Sequence, residues 1–381
     1  MRTADAVVVG GGAIGCATAF ALARERLAVV LIERDAIAAH ASGVAAGMLA
    51  PFAEAHGGAE ALPLGVESLA LFPEWVEELR ARTGIDPHFE RSGVLRVARS
   101  AAEAEALQSR AARLGAHGVE WVDAAAARAQ CPALTDAVTG ALWSPREAHV
   151  DAELLTSACA SAAQGLDVRI ECGVPATGLL LDGERVRGVR TPAGDWSAPF
   201  AIVATGPWSG CEGPALGAKP PVEPVRGQIV ALRPERLGLR MLLRASGVYL
   251  VPRCDGRLLV GATEERVGFD RRVTSAGVCG LLAAATDLVP ALADASFAGA
   301  VAGLRPATPD GLPLVGPAGP EGLLLAVGHS RNGILLAPVT GELVAGLVCG
   351  KAPPEAAMAF RTDRFSSKFE VDRREGRSPS A

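Results

Sequence analysis

What this chain has little of narrows its reading first. It contains a single tyrosine, Tyr249, and aromatic residues fill only 4% of its 381 positions. Basic and acidic side chains nearly balance, 37 against 42, for a net charge of −5. Neither sign forms a long run, which argues against a nucleic-acid partner. The eight cysteines, at positions 16, 131, 159, 172, 211, 254, 279 and 349, form no CxxC, and none sits close to one of the six histidines. A metal site and a disulfide framework are therefore not expected, and a reducing, cytoplasmic setting is. No GxSxG occurs, so a serine hydrolase is set aside. The apolar stretch 277–304 is interrupted by Asp287, Pro290 and Asp294, so no segment of about 20 residues is fit to span a bilayer. The apolar run after Arg2 mimics an export signal, but cleavage near Ala23 would remove the first predicted strand, and Asp5 breaks the charge pattern.

What is present begins at once. Asp5 to Gly15 reads as a strand, Ala6-Val7-Val8-Val9, followed by a glycine turn, and a helical stretch then leads to a second strand, 28–33, ending in the carboxylate of Glu33. Gly10 permits the tight turn, Gly12 lets a pyrophosphate approach the main chain, and Gly15 lets helix and strand pack closely. The helix N-terminus carries about half a positive charge and unpaired N–H groups for the phosphates. Glu33 stands where ribose hydroxyls would donate to it. Strand, turn, helix, strand and acid fall in register, so a dinucleotide site is expected.

Downstream, the small-residue segment 38–51 suits either a flexible connection or a backbone surface close to a flat ligand. Helices are predicted over 60–82 and 101–115, the first with a buried stripe of Leu69, Phe72, Val76 and Leu79. Strands are predicted at 93–97 and 140–143, then a helix from Asp151 as N-cap to about 163, then a strand at 167–172. Asp182-Gly183 suits a two-residue type I′ turn that opens a meander. A buried strand, 201–206, ends in Thr205-Gly206. A βαβ unit, a meander crossover and a second glycine-terminated strand resemble the FAD domains of two-dinucleotide-fold flavoproteins. A second hairpin at Asp255-Gly256, read as a two-residue turn, sets Tyr249 opposite Ala262. A strand at 323–327 leads into Gly328-His329-Ser330-Arg331-Asn332-Gly333 and an apolar helix over 334–348. A helix N-terminus there would stabilise negative charge on a reduced flavin ring. His329 reads as a cap or loop residue rather than a base. Arg305 and Arg331 each suit a structural carboxylate or a ligand carboxylate, and local sequence leaves both open.

Several segments together resemble the FAD-dependent amino acid and amine oxidases of the D-amino acid oxidase superfamily, most closely the glycine oxidases of the thiamine pathway. They are VVVGGGAIG, SGVAAGMLAP with Glu54 nearby, GALWSP leading to His149-Val150-Asp151, AIVATGPWSG, PVRGQIV, VYLVPRCDGRLLVGATEE, GLRPATPDGLPLVGP and GHSRNGILLAPVTGELV. The likeness runs to about Phe360. It implies an α/β chain with a two-dinucleotide-binding, Rossmann-like FAD domain (1–80, 146–219 and 300–365). That domain is interleaved with a substrate domain (81–145 and 220–299) on a mixed, mainly antiparallel sheet; the charged, polar sequence beyond Phe360 predicts a disordered tail over 366–381. The resemblance makes Arg305 the ligand of the substrate carboxylate, sets Tyr249 over the substrate side of the flavin, and places Arg331 beside substrate and flavin. It assigns non-covalent FAD to Gly10, Gly12, Ile14, Gly15, Glu33, Arg34, Ala41, Ser42, Ala46, Gly47, Met48, Val174, Thr205, Gly206, His329, Ser330, Arg331, Asn332, Gly333, Ile334 and Leu335. Relatives often carry an aromatic residue where Ser330 stands, which leaves the preferred amine open. The implied reaction is hydride transfer from substrate Cα to flavin N5, with O2 reoxidising the flavin to give hydrogen peroxide. The imine is hydrolysed to glyoxylate and ammonia or used for thiazole assembly, in a cytoplasmic homo-oligomer. Two alternatives stand beside this: a D-amino acid dehydrogenase with another electron acceptor, and a non-catalytic flavin-binding module.

Overall fold

Two sheets organise the chain, and the cavities lie where they meet. The structure is a computed structural model that describes residues 2–54, 58, 60–212, 216–235 and 237–368. The first sheet has six strands in the order Leu314–Pro317, Leu323–Val327, Phe200–Val203, Ala6–Val9, Val29–Glu33 and Arg169–Cys172. All neighbours are parallel except the antiparallel edge strand Leu314–Pro317. Strands Ala6–Val9 and Val29–Glu33 are buried along their whole length, as parallel strands covered on both faces must be. One face carries helix Ala13–Arg24, packed against Ala152–Gln164 and Ala337–Val348. Asp151 caps the second of these through Oδ1, which accepts from the Leu154 N–H at 3.0 Å. The other face is covered by a four-stranded sheet, Arg2–Thr3, Trp196–Ser197, Arg185–Arg190 and Gly178–Asp182, which is the expected meander crossover.

The second sheet has eight strands, ordered Ser296–Ala307, Glu223–Arg233, Leu258–Gly261, Val248–Pro252, Leu242–Ala245, Val94–Ala98, Gly140–Ser144 and Glu120–Asp123. It is antiparallel except for one parallel pair, Leu242–Ala245 with Val94–Ala98. Strand Ser296–Ala307 runs across the boundary expected at 300. Helix Ser275–Leu288, not anticipated from its even apolarity, is capped by Thr274 Oγ1 and covers one face. Helix Leu62–Thr83 buries the predicted stripe of Leu69, Phe72, Val76 and Leu79.

Both predicted hairpin turns are displaced by one residue. Asp182 pairs with Arg185, so the loop is Gly183-Glu184 rather than Asp182-Gly183. Only Gly183 has positive φ, +60°, the pattern of a type II′ turn rather than I′. In the later hairpin the Arg253 N–H donates to the Arg257 carbonyl, which leaves a three-residue loop, Cys254-Asp255-Gly256, with Gly256 at φ +80°. Tyr249 therefore faces Gly261, not Ala262. The last helix begins at Ala337 rather than Ile334, because Asn332 and Leu336 N–H groups close turns onto His329 and Asn332 carbonyls. Of the expected disordered tail, residues 366–368 finish a 3-10 helix, Thr362–Lys368, and 369–381 lie outside the described residues.

Candidate active site

Two adjoining cavities share Gly12, Ala41, Ser42, Ala204, Gly206 and Pro207; the first lies at the carboxyl ends of strands Ala6–Val9, Val29–Glu33 and Phe200–Val203, and the second between the two sheets. Together they make one continuous trough. The first is built by the glycine turn. A Cβ on Gly10 (φ +118°) would overlap the Ala204 carbonyl, and one on Gly15 would overlap the Gly10 carbonyl. Those glycines set the packing, whereas Gly12 opens to the trough, its nearest neighbour being Ser42 Oγ. Ser42 Oγ accepts from the Ala13 N–H at 2.9 Å, so the helix start and the small-residue segment form one wall. Glu33 is buried and its carboxylate receives the Gly11 N–H at 2.6 Å and the Asp35 N–H at 2.8 Å. A carboxylate has roughly four acceptor positions, so two stay available towards the cavity for hydroxyl donors. The mouth is framed by Arg34, whose guanidinium lies 4.0 Å over the Trp208 ring, with Phe269 stacked on the ring's surroundings at 5.9 Å.

The second cavity is floored by the eight-stranded sheet. Register places Arg96, Arg244, Tyr249, Gly261 and Ile229 in one row across five neighbouring strands. Three glycines make room for the groups above them. A Cβ would overlap the Arg305 guanidinium at Gly227, the Tyr249 ring at Gly261, and the Val44 side chain at Gly303. The reading that a small residue faces Tyr249 holds, with Gly261 in that place.

Charge in this cavity is nearly matched. Glu54, buried, pairs with both Arg244 and Arg331, and Arg331 Nη1 also lies 3.5 Å from Glu264. Burial, with the like charge of Arg331, draws Arg244 down to about 10, and the nearby Tyr249 opposes that. Arg305 differs from both. Its Nη1 donates to the Thr263 carbonyl at 3.0 Å, and among the described residues it makes no ion pair. Burial lowers its pKa, while the nearby Tyr249 opposes the shift. An anion beside it would do the same more strongly. Arg331 Nε is buried with no hydrogen-bond partner among the described residues, a second unmet donor at the same place.

His329 lines the cavity but shares its Nε2 with Thr340 Oγ1 at 3.0 Å, and burial pushes its pKa down to about 3. It is neutral and engaged, as a loop residue rather than a base. Ser330 sits at φ +48°, a left-handed conformation unusual for a residue with a Cβ, held by its N–H donating to the Pro306 carbonyl at 2.8 Å. Because the last helix starts at Ala337, the groups lining this end, Gly328 to Arg331 with Gly333 and Ile334, belong to turns and not to a helix N-terminus.

Most sequence-predicted residues line the trough: Gly10, Gly12, Ile14, Glu33, Arg34, Ala41, Ser42, Ala46, Gly47, Met48, Thr205, Gly206, Tyr249, Arg305, His329, Ser330, Arg331, Gly333 and Ile334. Gly15, Val174, Asn332 and Leu335 do not. Gly15 acts by packing, Val174 donates its N–H to the Glu33 carbonyl, Asn332 closes a turn, and the Leu335 carbonyl accepts from Ser68 Oγ. The residues missed are Glu54, Arg244, Gly227, Gly261 and Gly303. Each glycine stands inside a quoted segment and inside a strand, Gly227 between Arg226 and Gln228 and the other two between apolar residues, where a glycine otherwise weakens a sheet; that is the available signal.

A long trough with a glycine-turn helix end at one side and a guanidinium-lined pocket at the other fits a dinucleotide whose reactive ring reaches the second cavity. Comparison with known proteins agrees. The chain is 36% identical to glycine oxidase of Geobacillus kaustophilus over 97% of its own length and 99% of that protein. The crystal structure of glycine oxidase from that organism superposes with a TM-score of 0.91, covering 96% of this chain and 99% of that one. The chain is also 37% identical to the "Bifunctional protein ThiO/ThiG" of Synechocystis sp. over 95% of its length, but spans only 54% of that longer protein. Residues 5–347 match the family model described as FAD dependent oxidoreductase, and the chain belongs to that family.

Proposed function

We propose that this protein oxidises the Cα–N bond of a small amino carboxylate such as glycine or sarcosine, using FAD and O2. The observation that carries the substrate class is Arg305, the guanidinium over Gly227 that no carboxylate of the described residues neutralises. A substrate carboxylate completes it, by charge-assisted hydrogen bonds worth roughly 1.5–3 kcal/mol each. Glu33 and Gly12 hold the nucleotide half of FAD, and the wall of Ala41, Ser42, Ala46, Gly47 and Met48 supports its other half. Bound there, FAD would supply the two-electron acceptor for the substrate Cα–H, with O2 as the final oxidant and hydrogen peroxide as its product. Tyr249 closes the pocket over the substrate, and Gly261 beneath the ring fixes its position. Water hydrolyses the released imine to glyoxylate and ammonia, or the imine feeds thiazole assembly for thiamine; the bifunctional relatives' names support that second fate. The six-stranded sheet and its helices form the cofactor part and the eight-stranded sheet the substrate part. No helix of the described residues is long and apolar enough to cross a membrane; the cysteine pattern supports a cytoplasmic setting, and the resemblance supports a homo-oligomer.

A substrate panel of glycine, sarcosine, small D-amino acids and carboxylate-free amines tests this. Anaerobic flavin bleaching by glycine or sarcosine, followed by recolouring and peroxide release within seconds of admitting air, is the expected result. A flavin that stays reduced in air removes O2 as acceptor.

A further inference from the structure

Glu54 is the hinge of the charge pattern in the substrate cavity, yet its backbone is held by side chains from outside that cavity. The Phe52 and Ala53 N–H groups both donate to Glu147 Oε1, at 2.5 and 2.8 Å. The carbonyls of the same segment are taken by two guanidiniums. Arg110 donates to Phe52 at 2.7 Å and to Glu54 at 3.2 Å, and Arg96 donates to Ala53 at 2.6 Å. Charged side chains from three elements thus fix three consecutive residues. Glu147 is fully buried in the short turn after strand Gly140–Ser144, and its own carbonyl accepts from the Gly93 N–H at 2.9 Å. Its anchor is therefore rigid. Its Oε2 is buried with no hydrogen-bond partner among the described residues.

We propose that Glu147 is a positioning residue for the reaction: by clamping the Phe52 and Ala53 N–H groups it keeps the Glu54 carboxylate between Arg244 and Arg331. This rests on the reading that the second cavity receives the substrate carboxylate. The ionised clamp is the tight one, because hydrogen bonds to a carboxylate are about twice as strong as those to a neutral acceptor. Burial raises Glu147 to about 7, against the opposing pull of the two N–H groups, of Ser144 and of Arg110. The other groups facing it are Arg96 on the neighbouring strand and, across Phe52, the stacked His117 ring at 5.0 Å. Within the cavity itself the displaced groups move away from neutrality, His329 to about 3 and Arg244 to about 10. The clamp on Phe52 and Ala53 assigns to Glu147 the step in carboxylate affinity near neutral pH that Glu147→Gln removes.

The test is acetate titration of the FAD-loaded protein, followed by the flavin spectrum from pH 5.5 to 8.5, for the parent and for Glu147→Gln. Gln still accepts both N–H groups but holds no charge. The parent should bind acetate on the order of tenfold more tightly above pH 7 than well below it, and Glu147→Gln should show the weaker affinity throughout, with no step. A step of equal size in both proteins overturns the proposal. Should Glu147→Gln fold poorly, Glu54→Gln in the parent background decides, since it must abolish the same step; a step that survives it overturns the proposal equally. A parent that binds acetate yet leaves glycine unoxidised would remove the substrate assignment while leaving the clamp's result intact.

Discussion

Replacing Arg305 by alanine separates substrate recognition from cofactor binding. The side chain lies over Gly227 and donates to the Thr263 carbonyl at 3.0 Å. Nothing in these contacts reaches the glycine turn or Glu33, so the variant should retain its full complement of flavin. Removing one member of a buried, hydrogen-bonded charge pair costs about 2–5 kcal/mol. The upper part of that range applies here, because the neighbouring guanidiniums are both engaged by Glu54 and can replace Arg305 only by breaking their own ion pairs. The kcat/KM for glycine should fall by on the order of 10³-fold. A carboxylate-free amine never used Arg305, so its much slower oxidation should change by less than about threefold. The assay is peroxide release with both substrates, beside flavin content from the visible spectrum. Unchanged glycine kinetics, or an equal loss for both substrates, would refute the assignment.

Three further outcomes follow from the same geometry. Gly15→Ala pushes a Cβ into the Gly10 carbonyl, an overpacking that typically costs about 1–3 kcal/mol; it should lower the melting temperature of the loaded protein and its flavin occupancy together. Trp208→Ala removes the ring that Arg34 covers at 4.0 Å at the mouth of the cofactor cavity, and FAD should dissociate about tenfold faster, read by fluorescence on dilution. His329 is held neutral by burial, about 3 folded against an ordinary 6.5, so its contribution to stability is complete above pH 6.5. As pH falls from 6.5 towards 3 the unfolded chain takes a proton that the folded one refuses, and stability drops by at most about 1.4 kcal/mol per pH unit. His329→Gln should flatten that acid limb in thermal melts, and an unchanged limb would assign it elsewhere, His149 at about 4 being the nearest alternative.

The cofactor end was legible because its determinants are local. Gly10, Gly12, Gly15 and Glu33 occupy one βαβ unit, within which Gly15 packs on the Gly10 carbonyl and the Gly11 N–H donates to Glu33. The substrate end is not local. Arg96, Arg244, Tyr249 and Gly261 become neighbours only through strand pairing, and register is what a sequence states least firmly, since a slip of one residue exchanges the faces of a strand. That slip occurred at Tyr249, where a three-residue loop replaced the assumed two-residue turn. Arg305 and Arg331 looked alike in sequence. They part company through Glu54 and Glu264, which pair with Arg331 while Arg305 makes no ion pair among the described residues, and no spacing rule connects position 54 with position 244 or 331.

The way Glu54 divides these arginines also bears on how the amine loses its proton. The two groups in the cavity that chemistry would first suggest as bases are both committed, His329 to Thr340 and Glu54 to two guanidiniums. A carboxylate paired with two cations is a poor proton acceptor, since each opposite charge within about 4–6 Å lowers its basicity. A neutral histidine whose imidazolium form is penalised by burial is no better. The substrate must therefore shed its ammonium proton to water before or during entry, and the fraction of neutral amine in solution governs the rate. On that argument kcat/KM for glycine rises about tenfold per pH unit below the amine's own pKa, and the rise keeps its midpoint in His329→Gln. A midpoint that shifted with the residue at 329, rather than with the pKa of the amine supplied, would put a protein base back into the reaction.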